Sequence, residues 1–260
     1  MIKIRNLNFS YNNGFSLNNI NMDVEDGKIV SILGPNGSGK TTILKIISGI
    51  ITDYNGDVFI NNKNLKKFSR KELSKTVSYV PQDLNIGFDF TVKEIISMGR
   101  YPYLSPISNF DKKDYEIIEK AMEITGTKNI ENRSIKEISG GEKQRVLIGR
   151  ALTQESKIIL LDEPTSNLDI KYQLEILKIL SNLVKNENKT VIMSMHDINL
   201  SIRFCDEIYL ISKGKIIEKG PPDDIINDKT LSDVYNIKAK VLRNENGKIA
   251  YIFPEEVNGH

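Results

Sequence analysis

Gly34-Pro35-Asn36-Gly37-Ser38-Gly39-Lys40-Thr41 fits the spacing G-x-x-x-x-G-K-[ST] in full. Glycines so placed allow a loop whose N–H groups wrap a phosphate, and a helix that follows adds its dipole to the attraction. In such a loop Lys40 reaches the β- and γ-phosphates of a nucleotide, and Thr41 offers its hydroxyl to Mg²⁺. Later, Ile158-Ile159-Leu160-Leu161-Asp162-Glu163 sets two carboxylates directly after four apolar residues. Asp162 then emerges at the C-terminal end of a buried strand, where ligands of open α/β sheets collect, and suits Mg²⁺. Glu163 can polarise a water for attack on the γ-phosphate. A third run, Ser139-Gly140-Gly141-Glu142, has two glycines that let backbone approach a ligand, and it opens a basic helix whose free N–H groups aim at an anion.

The scaffold that must position these groups is legible in the pattern around them. Residues 2–7 and 15–24 read as strands joined by a turn at Asn12-Asn13-Gly14, and residues 28–33 as a buried strand feeding the Gly-rich loop. A helix over residues 40–47 follows the loop, and 57–60 and 76–80 read as further strands. From Thr91 to Gln154 the periodicity turns helical, with Val92, Ile95, Ile96 and Met98 in one stretch and Tyr115, Ile117, Ile118 and Met122 in another. Pro102 and Pro106 are expected to break the chain between them. Strands at 157–161, 190–194 and 207–211 then alternate with helices at 170–185 and 197–203, the signature of a parallel sheet with right-handed crossovers. The tail holds two short helical stretches and a hairpin around Asn246-Gly247. His260, at the end, is expected at the surface.

Composition bounds the reading. The 260 residues suit one large α/β domain with a subdomain, or two small domains. Hydrophobic residues at 39% and charged residues at 27% are those of an ordinary globular protein. A net charge of +2 supplies no basic field for nucleic acid, and the basic cluster at 63–71 reads as a solvated face. With Cys205 alone, no internal disulfide forms, as suits a reducing compartment. No apolar run approaches the roughly 18 residues that span a bilayer, and the N-terminus alternates like a strand without a secretory segment. Work at a membrane would need other chains. Abundant Lys, Ile and Asn fit a hot habitat or an AT-rich genome equally well.

Over nearly its whole length the chain resembles the ATP-binding cassette (ABC) ATPases. Lys40, Gln82, Ser139, Asp162 and His196 stand in the order of that family's Walker A, Q-loop, signature, Walker B and switch histidine. Pro164-Thr165-Ser166-Asn167-Leu168-Asp169 follows the Walker B carboxylates, with Asp169 at the D-loop aspartate. Tyr11 matches the aromatic A-loop residue on which adenine stacks. Ile138 departs from the commoner leucine before Ser-Gly-Gly, an apolar exchange of little consequence.

The resemblance implies an α/β fold: a P-loop NTPase (RecA-like) core with an N-terminal antiparallel β subdomain and an inserted α-helical subdomain. One domain spans 1–260, with sheet core and β subdomain at 1–87 and 155–240, helical subdomain at 88–154 and a short tail at 241–260. It implies ATP and Mg²⁺ as cofactors. Catalysis falls to Glu163, His196, Gln82 and Lys40, where His196 contacts the γ-phosphate and holds the attacking water. Nucleotide contacts come from Tyr11, the loop from Gly34 to Thr41, Thr42, Ser139, Gly140, Gly141, Glu142 and Asp169, and Mg²⁺ contacts from Thr41, Gln82 and Asp162. Each signature loop caps the γ-phosphate on the other subunit's Walker A loop, so ATP joins two copies and hydrolysis releases them.

The segment Thr91-Val92-Lys93-Glu94-Ile95-Ile96-Ser97-Met98-Gly99-Arg100-Tyr101-Pro102-Tyr103 is similar to the stretch after the Q-loop in cassettes serving iron–siderophore, haem and cobalamin importers. The implied function is the ATP-hydrolysing subunit of such an importer, at the cytoplasmic face of the membrane. It would bind two permease subunits, served by an extracytoplasmic binding protein, with no nucleic acid. A molybdate-type cassette or an exporter remains an alternative. A non-transport ATPase acting on nucleic acid fits less well, because the stretch between Thr42 and Ile138 is too short for a long coiled coil and there is one cassette.

Overall fold

Ile2, Ile4 and Leu7 are buried, and the break in their alternation has a local cause. Asn6 takes a positive φ of 49°, and the register slips between Ile4 and Leu7, a bulge that lets one face stay inward along strand β1 (Ile2–Ser10). The computed structural model describes residues 1–12, 14–82, 88–105 and 108–257, with the side chains of 256 and 257 excepted. Asn13, Pro106 and His260 therefore lie outside the described residues. The chain forms two compact units, Met1–Phe68 with Thr190–His260, and Ser69–Lys189.

In the first unit β1 pairs antiparallel with β2 (Ser16–Val24). After β3 (Ile29–Leu33), the Gly-rich loop and α1 (Lys40–Ile47), β4 (Asn55–Ile60) and the short β5 (Lys63–Asn64) complete a sheet ordered β2-β1-β4-β5. Every residue of β3 is buried, as in a strand covered on both faces.

The second unit starts with α2 (Arg70–Thr76) and β6 (Val77–Val80). Then come α3 (Val92–Ser97), a 3₁₀ turn at Met98–Tyr103, α4 (Lys112–Thr125), α5 (Gly140–Thr153), β7 (Ile158–Asp162) and α6 (Ile170–Glu187). Val92, Ile95 and Ile96 of α3, Ile118 and Met122 of α4 and Val146 of α5 pack into one apolar cluster. Capping boxes start all three helices, Thr91 with Glu94, Asp111 with Asp114 and Ser139 with Glu142, so the N-cap and N3 N–H groups of each have side-chain acceptors. Pro102 lies in the 3₁₀ turn between α3 and α4, so the helical pattern is interrupted there as expected. Strands β6 and β7 run parallel, with Val80 beside Leu161.

The chain returns to the first unit with β8 (Thr190–Met195), α7 (Ile198–Phe204), β9 (Glu207–Ser212), β10 (Lys215–Gly220), α8 (Pro222–Ile225), α9 (Asp228–Tyr235), β11 (Ile237–Arg243) and β12 (Ile249–Val257). Strand β3 lies between β8 and β9, parallel to both. The Tyr209 hydroxyl on β9 donates to Asp23 O at 2.7 Å and accepts from Asp23 N at 3.1 Å, tying β2 to this sheet. Strand β10 has no counterpart in the sequence reading. It is a charged, mostly exposed edge, without the apolar alternation that marks a half-buried strand.

Candidate functional site

Leu33 ends β3, and the chain turns at once into the Gly-rich loop. A Cβ on Gly34 would stand 2.0 Å from the carbonyl oxygen of Ile211 on β9, so only glycine lets the loop leave the sheet here. Gly39 has φ of 112°, and a Cβ on it would meet Leu17 Cδ2 at 2.5 Å and Phe15 Cζ at 2.9 Å. The Lys40 side chain folds back over the loop and donates to Gly34 O at 2.8 Å and Pro35 O at 3.0 Å. Gly214, at the tip between β9 and β10, donates its N–H to Ser38 O at 3.1 Å and pins the loop from outside.

Two observations suit this loop to a phosphate. The Ser38 hydroxyl is buried with no hydrogen-bond partner, a cost that a ligand oxygen would remove. Helix α1 has no side-chain cap and no acidic residue in its first turn, so its leading N–H groups and dipole keep their attraction for an anion. Thr41 is half-buried and Thr42 buried in that turn.

Two further sequence candidates lie in the same unit. His196 follows β8, whose Met195 pairs with Leu33, so His196 and Gly34 leave neighbouring parallel strands at the same edge. Tyr11 is 39% exposed, with its ring edge-on to Phe9 at 4.7 Å and tilted against Phe15 at 6.2 Å. Phe15, which the sequence reading passed over, touches both the Tyr11 ring and the Gly39 corner of the loop.

In the second unit, β6 and β7 bring three candidates together. Asp162 is 3% exposed and accepts from the Tyr79 hydroxyl at 3.2 Å. Glu163 takes φ of 47°, the left-handed region, which costs a non-glycine residue about 1 kcal/mol or more. Its carbonyl is held by Ser166 N at 3.2 Å and Ser166 Oγ at 2.9 Å, and its carboxylate accepts from Gln82 Nε2 at 2.7 Å. The Gln82 amide holds the carboxylate in place. Asp162 and Gln82 offer hard oxygen donors of the kind Mg²⁺ takes beside phosphate oxygens, and Thr41 in the first unit carries a hydroxyl of the same kind. Tyr79 was not singled out from the sequence, since the pairing of β6 with β7 alone brings it to Asp162.

The signature run opens α5. Ser139 N and Oγ donate to Glu142 Oε2 at 2.8 and 2.9 Å, while Glu142 N donates back to Ser139 Oγ at 3.3 Å. These hydrogen bonds, first from the Ser139 backbone and then from its hydroxyl, hold the Glu142 carboxyl below its ordinary range, helped by Arg133 and Arg145. Ser139 and Gly140 are exposed, whereas Gly141 is buried. Exposed Asp169 is the N-cap position of α6, and a Cβ on Gly140 would lie 3.8 Å from its neighbour Leu168.

Packing inside this unit accounts for much of Met98-Gly99-Arg100-Tyr101-Pro102. A Cβ on Gly99 would stand 2.1 Å from both Arg150 O and Thr153 Oγ1 of α5. Arg100, 3% exposed, donates to Asp114 Oδ1 at 2.8 Å, Thr153 O at 2.9 Å and Glu155 Oε2 at 2.7 Å. Tyr101 faces solvent at 58% exposure, its ring parallel to that of Phe110 at 6.3 Å.

Residues 17–166 match the family described as ABC transporter. The iron(3+)-hydroxamate import ATP-binding protein of Bacillus subtilis is 36% identical over 236 residues, 91% of this chain and 88% of that protein. The cobalamin import ATP-binding protein of Halobacterium salinarum is 33% identical over 86% of the chain, which spans only 56% of that relative's length. Among solved structures, an inward-facing one described as a metal-chelate type ABC transporter is similar with a TM-score of 0.84 and 26% identity, covering 98% of this chain and 96% of that one. A dimeric ATP-binding cassette bound to ADP and Pi has a TM-score of 0.76 and 30% identity, covering 85% and 99%.

Proposed function

This chain belongs to the ABC transporter family, and on that premise we propose that it binds and hydrolyses ATP to energise a membrane importer. The cargo class is a metal chelate, an iron(III)–siderophore, haem or cobalamin. The relatives' names support that class, and the fold is that of the family's ATP-binding cassettes. All of 1–260 acts as one cassette, with the signature carried on 88–154.

The Gly34–Thr41 loop and Thr42 cradle the phosphates, Lys40 neutralises charge on the β- and γ-groups, and Tyr11 stacks on adenine. Glu163 accepts a proton from water as that oxygen bonds to the γ-phosphorus and the bond to the β-phosphate oxygen breaks, leaving ADP and phosphate. Gln82 orients the Glu163 carboxylate and the water, and His196 holds the γ-phosphate. Mg²⁺, bound by Thr41, Gln82 and Asp162, would supply positive charge to the β- and γ-phosphates. Ser139, Gly140, Gly141, Glu142 and Asp169 of a second copy complete the site, so ATP binding closes a homodimer and hydrolysis opens it.

Among the described residues no helix is long and apolar enough to cross a membrane. In this reading two permease subunits hold the dimer at the cytoplasmic face, and a binding protein outside delivers the cargo. Nucleic acid has no part in the cycle.

The observation that carries hydrolysis is the strained, Gln82-bound carboxylate of Glu163 at the end of β7. Glu163→Gln keeps an acceptor for Gln82 but loses the base. ATP binding is expected to stay normal, turnover to fall by roughly 10²–10⁴, and an ATP-bound dimer to accumulate in gel filtration. Turnover within a few-fold of the parent removes Glu163 from this role. ATPase activity stimulated by DNA at physiological salt overturns the transport reading.

A further inference from the structure

Two helices of the second unit start side by side. Ser139 and Gly140 lead α5, and Asp169 leads α6, with the half-buried ring of Tyr172 between them. A Cβ on Gly141 would lie 2.8, 3.0 and 3.1 Å from Cγ, Cδ1 and Cδ2 of that ring. Three such similar distances place the face of the ring against the α5 backbone. One turn further along both helices, Arg145 Nη1 donates to Glu175 Oε2 at 2.9 Å, and the Arg145 guanidinium stands 5.5 Å from the ring centroid. The ring and the ion pair are successive rungs between α5 and α6.

We propose that Tyr172 is a positioning residue that sets the spacing of the two helix starts, so that Ser139 and Asp169 reach a second copy of the chain as one rigid surface. Groups that move independently must each be immobilised when the dimer closes, whereas groups held in one piece are immobilised together. The flat ring suits this task because it fills the gap left by Gly141 without a flexible stem. The inference deepens, and rests on, the dimer reading above.

The test uses the full chain carrying Glu163→Gln, with dimer formation followed by sedimentation velocity across ATP concentrations. Adding Tyr172→Ala is expected to raise the ATP concentration for half-maximal dimer about tenfold or more, equivalent to about 1.4 kcal/mol. ATP affinity of the monomer should stay unchanged, because the Lys40 loop lies in the other unit. Tyr172→Phe, which keeps the ring, should dimerise like the parent. Dimerisation of Tyr172→Ala at the parent's ATP concentration overturns the inference, as does a Tyr172→Phe variant as impaired as the alanine one. A Glu163→Gln parent that stays monomeric in saturating ATP overturns the dimer reading and this inference with it.

Discussion

Arg100→Met removes a guanidinium from the interior of the second unit while keeping an unbranched stem of similar length. The Arg100 side chain is 4% exposed and that of its partner Asp114 is 9% exposed, so the change strands a carboxylate away from water. The three lost hydrogen bonds are unequal. The Glu155 side chain is 44% exposed, and an exposed pair contributes roughly 0–1 kcal/mol. Asp114 keeps the Asp111 N–H at 3.1 Å, but breaking a buried pair from one side costs about 3–5 kcal/mol. Contact with the Tyr103 ring, 4.0 Å from Arg100 Cζ, is retained by the thioether without its cationic part. The stranded charge dominates, and a loss of about 4 kcal/mol is expected. Urea unfolding followed by far-ultraviolet circular dichroism reads this directly. At slopes of about 1–3 kcal/mol per molar urea, the midpoint should fall by about 1.3 M or more. Arg100→Met with Asp114→Asn leaves no buried charge and keeps the acceptor for Asp111, so it should recover more than half the loss. A single variant whose midpoint stays within about 0.3 M of the parent, or a double variant weaker than the single, refutes the reasoning. The identity of Arg100 would then need a cause outside the packing of this unit.

Two more outcomes rest on the geometry of the Gly34 loop and of the Ser139–Glu142 cap. Gly34→Ala puts a methyl group against the Ile211 carbonyl and must push the loop off the sheet, so ATP affinity by equilibrium dialysis should fall about tenfold or more while β-sheet content persists. Because the Glu142 carboxyl titrates below its ordinary value near 4.5, its contribution is complete above that pH and disappears as pH falls through its lower folded value. Hydrogen exchange should show Ser139 N–H protection lost over that acid window, and Glu142→Gln should abolish the dependence.

Much of this protein is written locally. The Gly34–Thr41 loop, the capping boxes at Thr91, Asp111 and Ser139, and the apolar strand before Asp162-Glu163 each depend on residues a few positions apart. Backbone freedom, helix-end hydrogen bonding and apolar periodicity are short-range properties, so one chain sufficed to read them. The order of the motifs then named a family, which fold comparison and relatives support.

Partners distant in the chain had to wait for the fold. That Gly34 lies under Ile211, that Tyr79 reaches Asp162, and that Gly141 receives the Tyr172 ring are consequences of which strands and helices become neighbours. Sequence spacing does not encode those neighbours, because burial of the whole apolar surface selects them. The same holds for Gly99 and Arg100, whose types pointed in sequence to an importer and in structure are required by α5. Local chemistry therefore marks the residues of the candidate site, and long-range packing decides which side chains hold them still.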